Sequence, residues 1–94
     1  MDLSFLENLV KIIHDRKINP SESSYTAKLF EGGENKIIKK LGEENAEFIQ
    51  AFLIQSDKRI ISEAADYLYH LIVALEYKNI SFESVIDELK KRHK

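Results

Sequence analysis

From Ile60 to Tyr77 the chain runs through eighteen residues without a Lys or Arg, and Ile, Leu, Val, Ala and Tyr fill most of them. Between Tyr67 and Leu75 apolar or aromatic side chains cover almost every direction around a helical axis, which leaves a helix here little face for water. Such a helix has to be buried on all sides, so the fold should be a bundle built around it. With 94 residues the chain is one domain with room for a few short helices and a modest core. So few helices can hardly enclose one of their own number. A second copy is the economical cover, and the expectation is a homodimer with this helix near the two-fold axis. The stretch approaches membrane-spanning length, but the acids and His70 inside it mark a bundle core instead.

Two of those acids, Glu63 and Asp66, stand one turn apart among apolar neighbours. An ionised carboxylate near apolar surroundings loses hydration and needs a compensating partner. No basic residue lies within helical reach inside this segment, so the partner is expected to be a cation from elsewhere. Upstream, Glu44 and Glu47 repeat the spacing, with Glu43 beside them. Two helices could therefore direct Glu44, Glu47, Glu63 and Asp66 at one shared point. Carboxylate oxygens without sulfur suit a hard divalent cation, Mg²⁺ or Mn²⁺. The chain has no Cys, which excludes disulfides and thiolate metal sites and fits a reducing compartment.

The remaining sequence reads as helices separated by capping residues. Leu3, Leu6, Leu9, Val10 and Ile13 recur at helical spacing over residues 3 to 17. Residues 18 to 24 are rich in turn formers and should be an exposed connector. Ser23 or Ser24 then caps a short helix through Phe30, stopped at Gly32-Gly33. From Glu34 to about Gln55, Ile37, Ile38, Leu41, Phe48, Ile49 and Phe52 share one arc, with Glu44 at its edge beside Phe48. Ser56-Asp57 caps the next helix, which runs to about Tyr77 and ends near Asn79, a residue that tolerates left-handed backbone. Ser81 caps the last, with Glu83 in its first turn and Lys90, Lys91 and Arg92 in its last, matching the helix dipole. No stretch alternates as a strand would, so the fold class is all-α, a bundle-like domain of four to five helices.

Charge narrows the partners. A net charge of −2 gives no general attraction to nucleic acid or to an anionic membrane, so any phosphate binding has to be local. Lys40, one turn before Glu44, either pairs with it at the surface or reaches a substrate phosphate. His70, one turn past Asp66, bonds a carboxylate, touches substrate, or is a satisfied core histidine. The N-terminus lacks a basic stretch followed by a long apolar run, so no signal peptide is expected and the chain is placed in the cytoplasm.

Taken in order, several blocks resemble one known family. They are Ser24 to Leu29, Gly33, Lys36-Ile37, Lys40 to Glu44, Glu47, Glu63 to Asp66, Tyr69-His70 and the closing Leu89 to Arg92. Together they look like phosphoribosyl-ATP pyrophosphohydrolase, of the MazG-type all-α nucleoside triphosphate pyrophosphohydrolases, over nearly the whole chain. The resemblance implies the second step of histidine biosynthesis: phosphoribosyl-ATP and water give phosphoribosyl-AMP and pyrophosphate, with Mg²⁺ required. It places the acidic motif on Glu44, Glu47, Glu63 and Asp66, with Glu43 in the same motif. Ser24, Tyr25, Thr26 and Lys28 look like part of the substrate-binding surface. Asn45 and Leu53 depart from the pattern, standing where relatives often carry a small residue and a Lys, so a phosphate contact from position 53 does not carry over. Many relatives are fused to a cyclohydrolase whose zinc site uses Cys; a chain without Cys is expected to have a single activity.

The expected chemistry follows from charge. A triphosphate repels an incoming nucleophile, so a bound divalent ion has to neutralise it and stabilise the leaving pyrophosphate. Glu44 or Glu47 is the candidate base, Lys40 and Lys28 the first candidates for phosphate contact, with His70 beside them and Arg16 and Arg92 behind. Two alternatives stand beside this reading. One is hydrolysis of a nucleotide such as dUTP or dCTP on the same scaffold. The other is a dimeric helical interaction module without catalysis.

Overall fold

The computed structural model describes residues 1–54 and 56–94, and over these it is built of helices alone. In chain order they are α1 (Ser4–Ile18), α2 (Tyr25–Ile54), α3 (Asp57–Tyr77) and α4 (Phe82–Arg92). The expected end of the second long helix at Gln55 lies outside the described residues.

Helix α2 is two pieces joined at Gly33, whose φ of 79° and ψ of −173° belong to a region that essentially only glycine enters. The first piece is the short helix expected after the serines. Its cap is Ser24, whose Oγ accepts the Ala27 N–H at 3.1 Å.

The other ends follow their sequence signals closely. Asn79 closes α3 with φ 60°. Its N–H donates to the Glu76 carbonyl and that of Ile80 to the Leu75 carbonyl, both at 2.9 Å, the paired bonds of a Schellman turn. Lys17 of α1 secures the same end, its Nζ 2.9 Å from the Glu76 carbonyl and 2.8 Å from Asn79 Oδ1. Ser81 caps α4 by accepting the Ser84 N–H at 3.2 Å. Ser56 differs: it holds the N-cap position of α3 in extended backbone, but its side chain makes no capping bond.

Helices α2 and α3 pack chiefly against each other, and α1 packs against both. The core joins Ile13 of α1, Leu29 and Ile37 of α2, and Ile72 and Val73 of α3, with Leu9, Phe30 and Tyr77 around them. It therefore sits where three helices meet. Farther along, α2 and α3 have only each other, and apolar surface is left bare: Phe52 is 65% and Ile61 69% exposed. The α2 arc is thus half covered, with Ile37 buried and Ile38, Ile49 and Phe52 exposed. On α3, Ile72 and Val73 are buried while Leu68 is exposed, so the chain alone does not enclose this helix on all sides. More large apolar side chains are exposed on α2 than on α3. No described helix is long and apolar enough to cross a membrane.

Candidate metal centre

Spacing of three puts Glu63 and Asp66 on one face of α3, and the packing of α2 against that face brings Glu44 opposite them. One carboxylate oxygen from each of Glu44, Glu63 and Asp66 lies within 4.8 Å of the other two. Glu44 and Glu63 are buried, at 8% and 4% exposure, whereas Asp66 is exposed and opens the cluster to solvent. Glu47 is not among the three. A step of three residues turns it about 60° from Glu44 around the helix, and it lies on the exposed side. Four carboxylates were expected to converge; three do, with the fourth at their edge.

The electrostatics are unfavourable without a cation. Burial, then the charge of Glu47, push the Glu44 carboxyl above its ordinary range, and Asp66 adds to the shift. His70 and Lys40 act in the opposite direction. The Lys40 contribution is loose, with Nζ 3.9 Å from Glu44 Oε1. Glu63 does have a partner: Arg59 Nη2 donates to its Oε1 at 2.7 Å. This corrects the expectation that no base was within reach. Arg59 stands just ahead of the Lys- and Arg-free segment, four residues before Glu63, and so faces it one turn away.

Even so, Glu44 Oε2 and Glu63 Oε2 are buried without any hydrogen-bond partner. A buried polar atom left unmatched costs roughly 1–3 kcal/mol, and more when charged. Two such atoms beside a third carboxylate, with Arg59 engaging only one oxygen of the set, fit a hard divalent ion.

The substrate candidates at the start of α2 dock on α3 just past this cluster. Tyr25 Oη lies 3.2 Å from His70 Nε2, and the Thr26 hydroxyl bonds that of Tyr69. The Tyr25 and Tyr69 rings stack with centroids 6.4 Å apart. His70 is buried, and its Nδ1 donates to the Asp66 backbone carbonyl at 2.8 Å. Both ring nitrogens are thus engaged, and neither meets a side-chain carboxylate. Ser24 spends its hydroxyl on the cap, while Lys28 is exposed. Arg16 and Arg92 bond Asp15 and Glu88 on their own helices.

Two residues gain roles that sequence reasoning did not give them. Tyr69, whose phenol is pushed up by burial, ties Thr26 down. Glu76 binds Lys17 at 2.9 Å and also His14. Its partners are about sixty residues away, so no local pattern signals the link.

Comparison with known proteins adds a second line of observation. A family model described as phosphoribosyl-ATP pyrophosphohydrolase matches residues 6–93. A protein of Clostridium acetobutylicum named phosphoribosyl-ATP pyrophosphatase is 48% identical over 88 residues, covering 94% of this chain and 80% of its own length. The histidine biosynthesis bifunctional protein HisIE of Campylobacter jejuni is 46% identical over 93 residues, or 99% of this chain. Its namesake in Nostoc is 44% identical over 89 residues, or 95% of this chain. The chain spans only 45% and 41% of the lengths of these two bifunctional relatives.

Proposed function

The chain belongs to the phosphoribosyl-ATP pyrophosphohydrolase family, and from that membership we propose that it hydrolyses phosphoribosyl-ATP to phosphoribosyl-AMP and pyrophosphate, the second step of histidine biosynthesis. The observation that carries the reading is the pair of buried, unmatched oxygens on Glu44 and Glu63, two residues that share a carboxylate cluster with Asp66. Residues 1–94 form one domain that carries this activity.

Glu44, Glu63 and Asp66 hold Mg²⁺ in this reading. The bound ion supplies positive charge against the phosphate oxygens and stabilises the leaving pyrophosphate. The protein does the rest. Arg59 holds Glu63 through Oε1, leaving Oε2 without a partner in the protein. Glu47, beside the cluster and open to solvent, takes the proton of the attacking water as the bond between α- and β-phosphates breaks. Lys40, held only loosely by Glu44, and Lys28 turn to the phosphates. Ser24, Tyr25 and Thr26, backed by His70 and Tyr69, form the adjoining substrate wall.

The assembly in this reading is a homodimer, with a second copy covering Ile38, Ile49, Phe52, Leu53 and Ile61. The protein works in the cytoplasm without nucleic acid or membrane as partner, which its net charge of −2 favours.

Pyrophosphate release from phosphoribosyl-ATP, with Mg²⁺ and with excess chelator, tests substrate, reaction and cofactor together. The expected result is release with Mg²⁺ only, and little from dUTP or dCTP. Preference for either nucleotide would reassign the substrate, and no turnover of any of them would remove the catalytic reading.

A further inference from the structure

The first piece of α2 carries the chain away from the acidic cluster. Tyr25 docks on His70, and Glu34, just past the break, pairs with Lys78. Between those two contacts the chain advances from position 70 to position 78 of α3, a rise of about 12 Å in the direction leading away from Asp66. Steps of three and four residues place Tyr25, Lys28 and Gly32 on one stripe of this short helix. The stripe faces solvent, while Ala27 and Leu29 beside it are buried.

Gly32 makes room for a lysine. A side-chain carbon added there would overlap Lys36 Cδ and lie 2.9 Å from Lys36 Cβ. The stem of Lys36, from the first turn after the break, therefore crosses Gly32 on the stripe that holds Lys28. Both lysines are exposed, and among the described residues neither enters an ion pair, whereas Lys40 meets Glu44 and Lys78 meets Glu34. Glu31, the one acid of this helix piece, pairs with neither. Two uncompensated positive charges thus stand together, beyond the Tyr25 wall and away from the carboxylates.

Phosphoribosyl-ATP is charged at both ends. Its triphosphate is the part that is cut, and a second ribose on the base carries a phosphate monoester that ATP lacks. That distant phosphate is repelled by carboxylates and needs a basic contact set apart from them. An ammonium group serves as a point charge for it.

Building on the proposed activity, we infer that Lys28 and Lys36 form a second anion site, separate from the acidic cluster, which takes the phosphate of the ribosyl group and so selects phosphoribosyl-ATP over ATP. Gly32 belongs to this site through its missing side chain, because only a bare backbone lets Lys36 cross the break towards Lys28.

Variants of the full chain test the assignment. Lys36→Gln should raise KM for phosphoribosyl-ATP about five- to thirtyfold, the worth of one charge-assisted contact at an exposed site, with kcat within about twofold of wild type. Lys36→Arg keeps the charge and should stay close to wild type. Gly32→Ala forces the lysine stem aside, so it should raise KM as well and add nothing in a Lys36→Gln background. Inhibition by phosphoribosyl-AMP, which retains the ribosyl phosphate, should weaken in Lys36→Gln, while inhibition by pyrophosphate should not. An unchanged KM in Lys36→Gln or Gly32→Ala, equal effects of Lys36→Gln and Lys36→Arg, or equal weakening of both inhibitors would overturn the inference. Binding provides a readout independent of turnover. With chelator present, ribose 5-phosphate should shift the amide resonances of residues 28–36 in wild type and bind at least about fivefold more weakly to Lys36→Gln. Absence of those shifts, or equal binding by the variant, would refute the anion site even if the enzyme is active. Binding there without any turnover of phosphoribosyl-ATP would instead remove the proposed activity and leave the anion site standing.

Discussion

Replacing Glu44 with Gln should change stability in opposite directions with and without a divalent ion. Its carboxylate lies within 4.8 Å of oxygens on Glu63 and Asp66. Two unit charges at that distance repel by roughly 1 kcal/mol in water and about 3 kcal/mol at the effective dielectric of a protein surface. Arg59 cancels much of the Glu63 charge, and Lys40 at 3.9 Å offsets part of the rest. Neutralising Glu44 should then stabilise the ion-free protein by about 1–2 kcal/mol, and the new amide can donate to the neighbouring carboxylates. For a domain of this size that is a rise in Tm of roughly 4–15 °C. In the presence of Mg²⁺ at a hundred times its Kd, wild type should gain about 2.7 kcal/mol and the variant far less. Thermal unfolding followed by circular dichroism, at one protein concentration, with chelator and then with Mg²⁺, measures both effects. A variant less stable than wild type in chelator, or one with the same Mg²⁺-induced shift, would refute the reasoning. The sign with pH agrees. Because the folded-state pKa of Glu44 is raised, the ion-free protein should lose stability as pH rises from the ordinary carboxyl range through that elevated value.

Other perturbations probe other parts of the structure. Gly33→Ala puts a side chain at φ 79° and should cost about 1–3 kcal/mol in denaturant unfolding, although nothing lies within 4 Å of the added carbon; a neutral result would mean that the break in α2 moves freely. Burial alone would raise the Glu76 carboxyl, but Lys17 and His14 outweigh it and hold it below its ordinary value. Its stabilising contribution should therefore be complete above the ordinary carboxyl pKa and disappear as pH falls through the depressed one, and Glu76→Gln should lose about 1.5–3 kcal/mol at neutral pH and flatten that acid slope in denaturant melts. Phe52→Glu, on the bare face of α2 that the proposed second copy would cover, should give a monomer in sedimentation experiments where wild type sediments as a dimer, and a wild-type monomer or an unchanged mass would refute that contact.

Helix ends were legible because the signals that make them are local. Ser24, Gly33, Asn79 and Ser81 act within a few residues of themselves, and each does in the structure what its type suggests. Glu63 and Asp66 stood out because charge is scarce around them. What sequence periodicity could not supply was rotation about the helix to within one residue, which separates Glu44 from Glu47, or the partner just past a chosen boundary, which is why Arg59 was missed. Links between distant positions were beyond reach altogether: Tyr25 with His70, Thr26 with Tyr69, and Lys17 with Glu76 depend on how helices pack. The extent of bare apolar surface on α2 also emerges only once α1 is seen to cover one end and not the other.

Whether Glu44, Glu63 and Asp66 act together on one ion is most directly read by titrating the protein with Mn²⁺, a paramagnetic substitute for Mg²⁺, and following free ion by electron paramagnetic resonance. Wild type should show saturable binding that Mg²⁺ displaces, and both Glu63→Gln and Asp66→Asn should lose most of it while keeping their helical spectra. Undiminished binding in those folded variants would contradict a shared site formed by these three carboxylates.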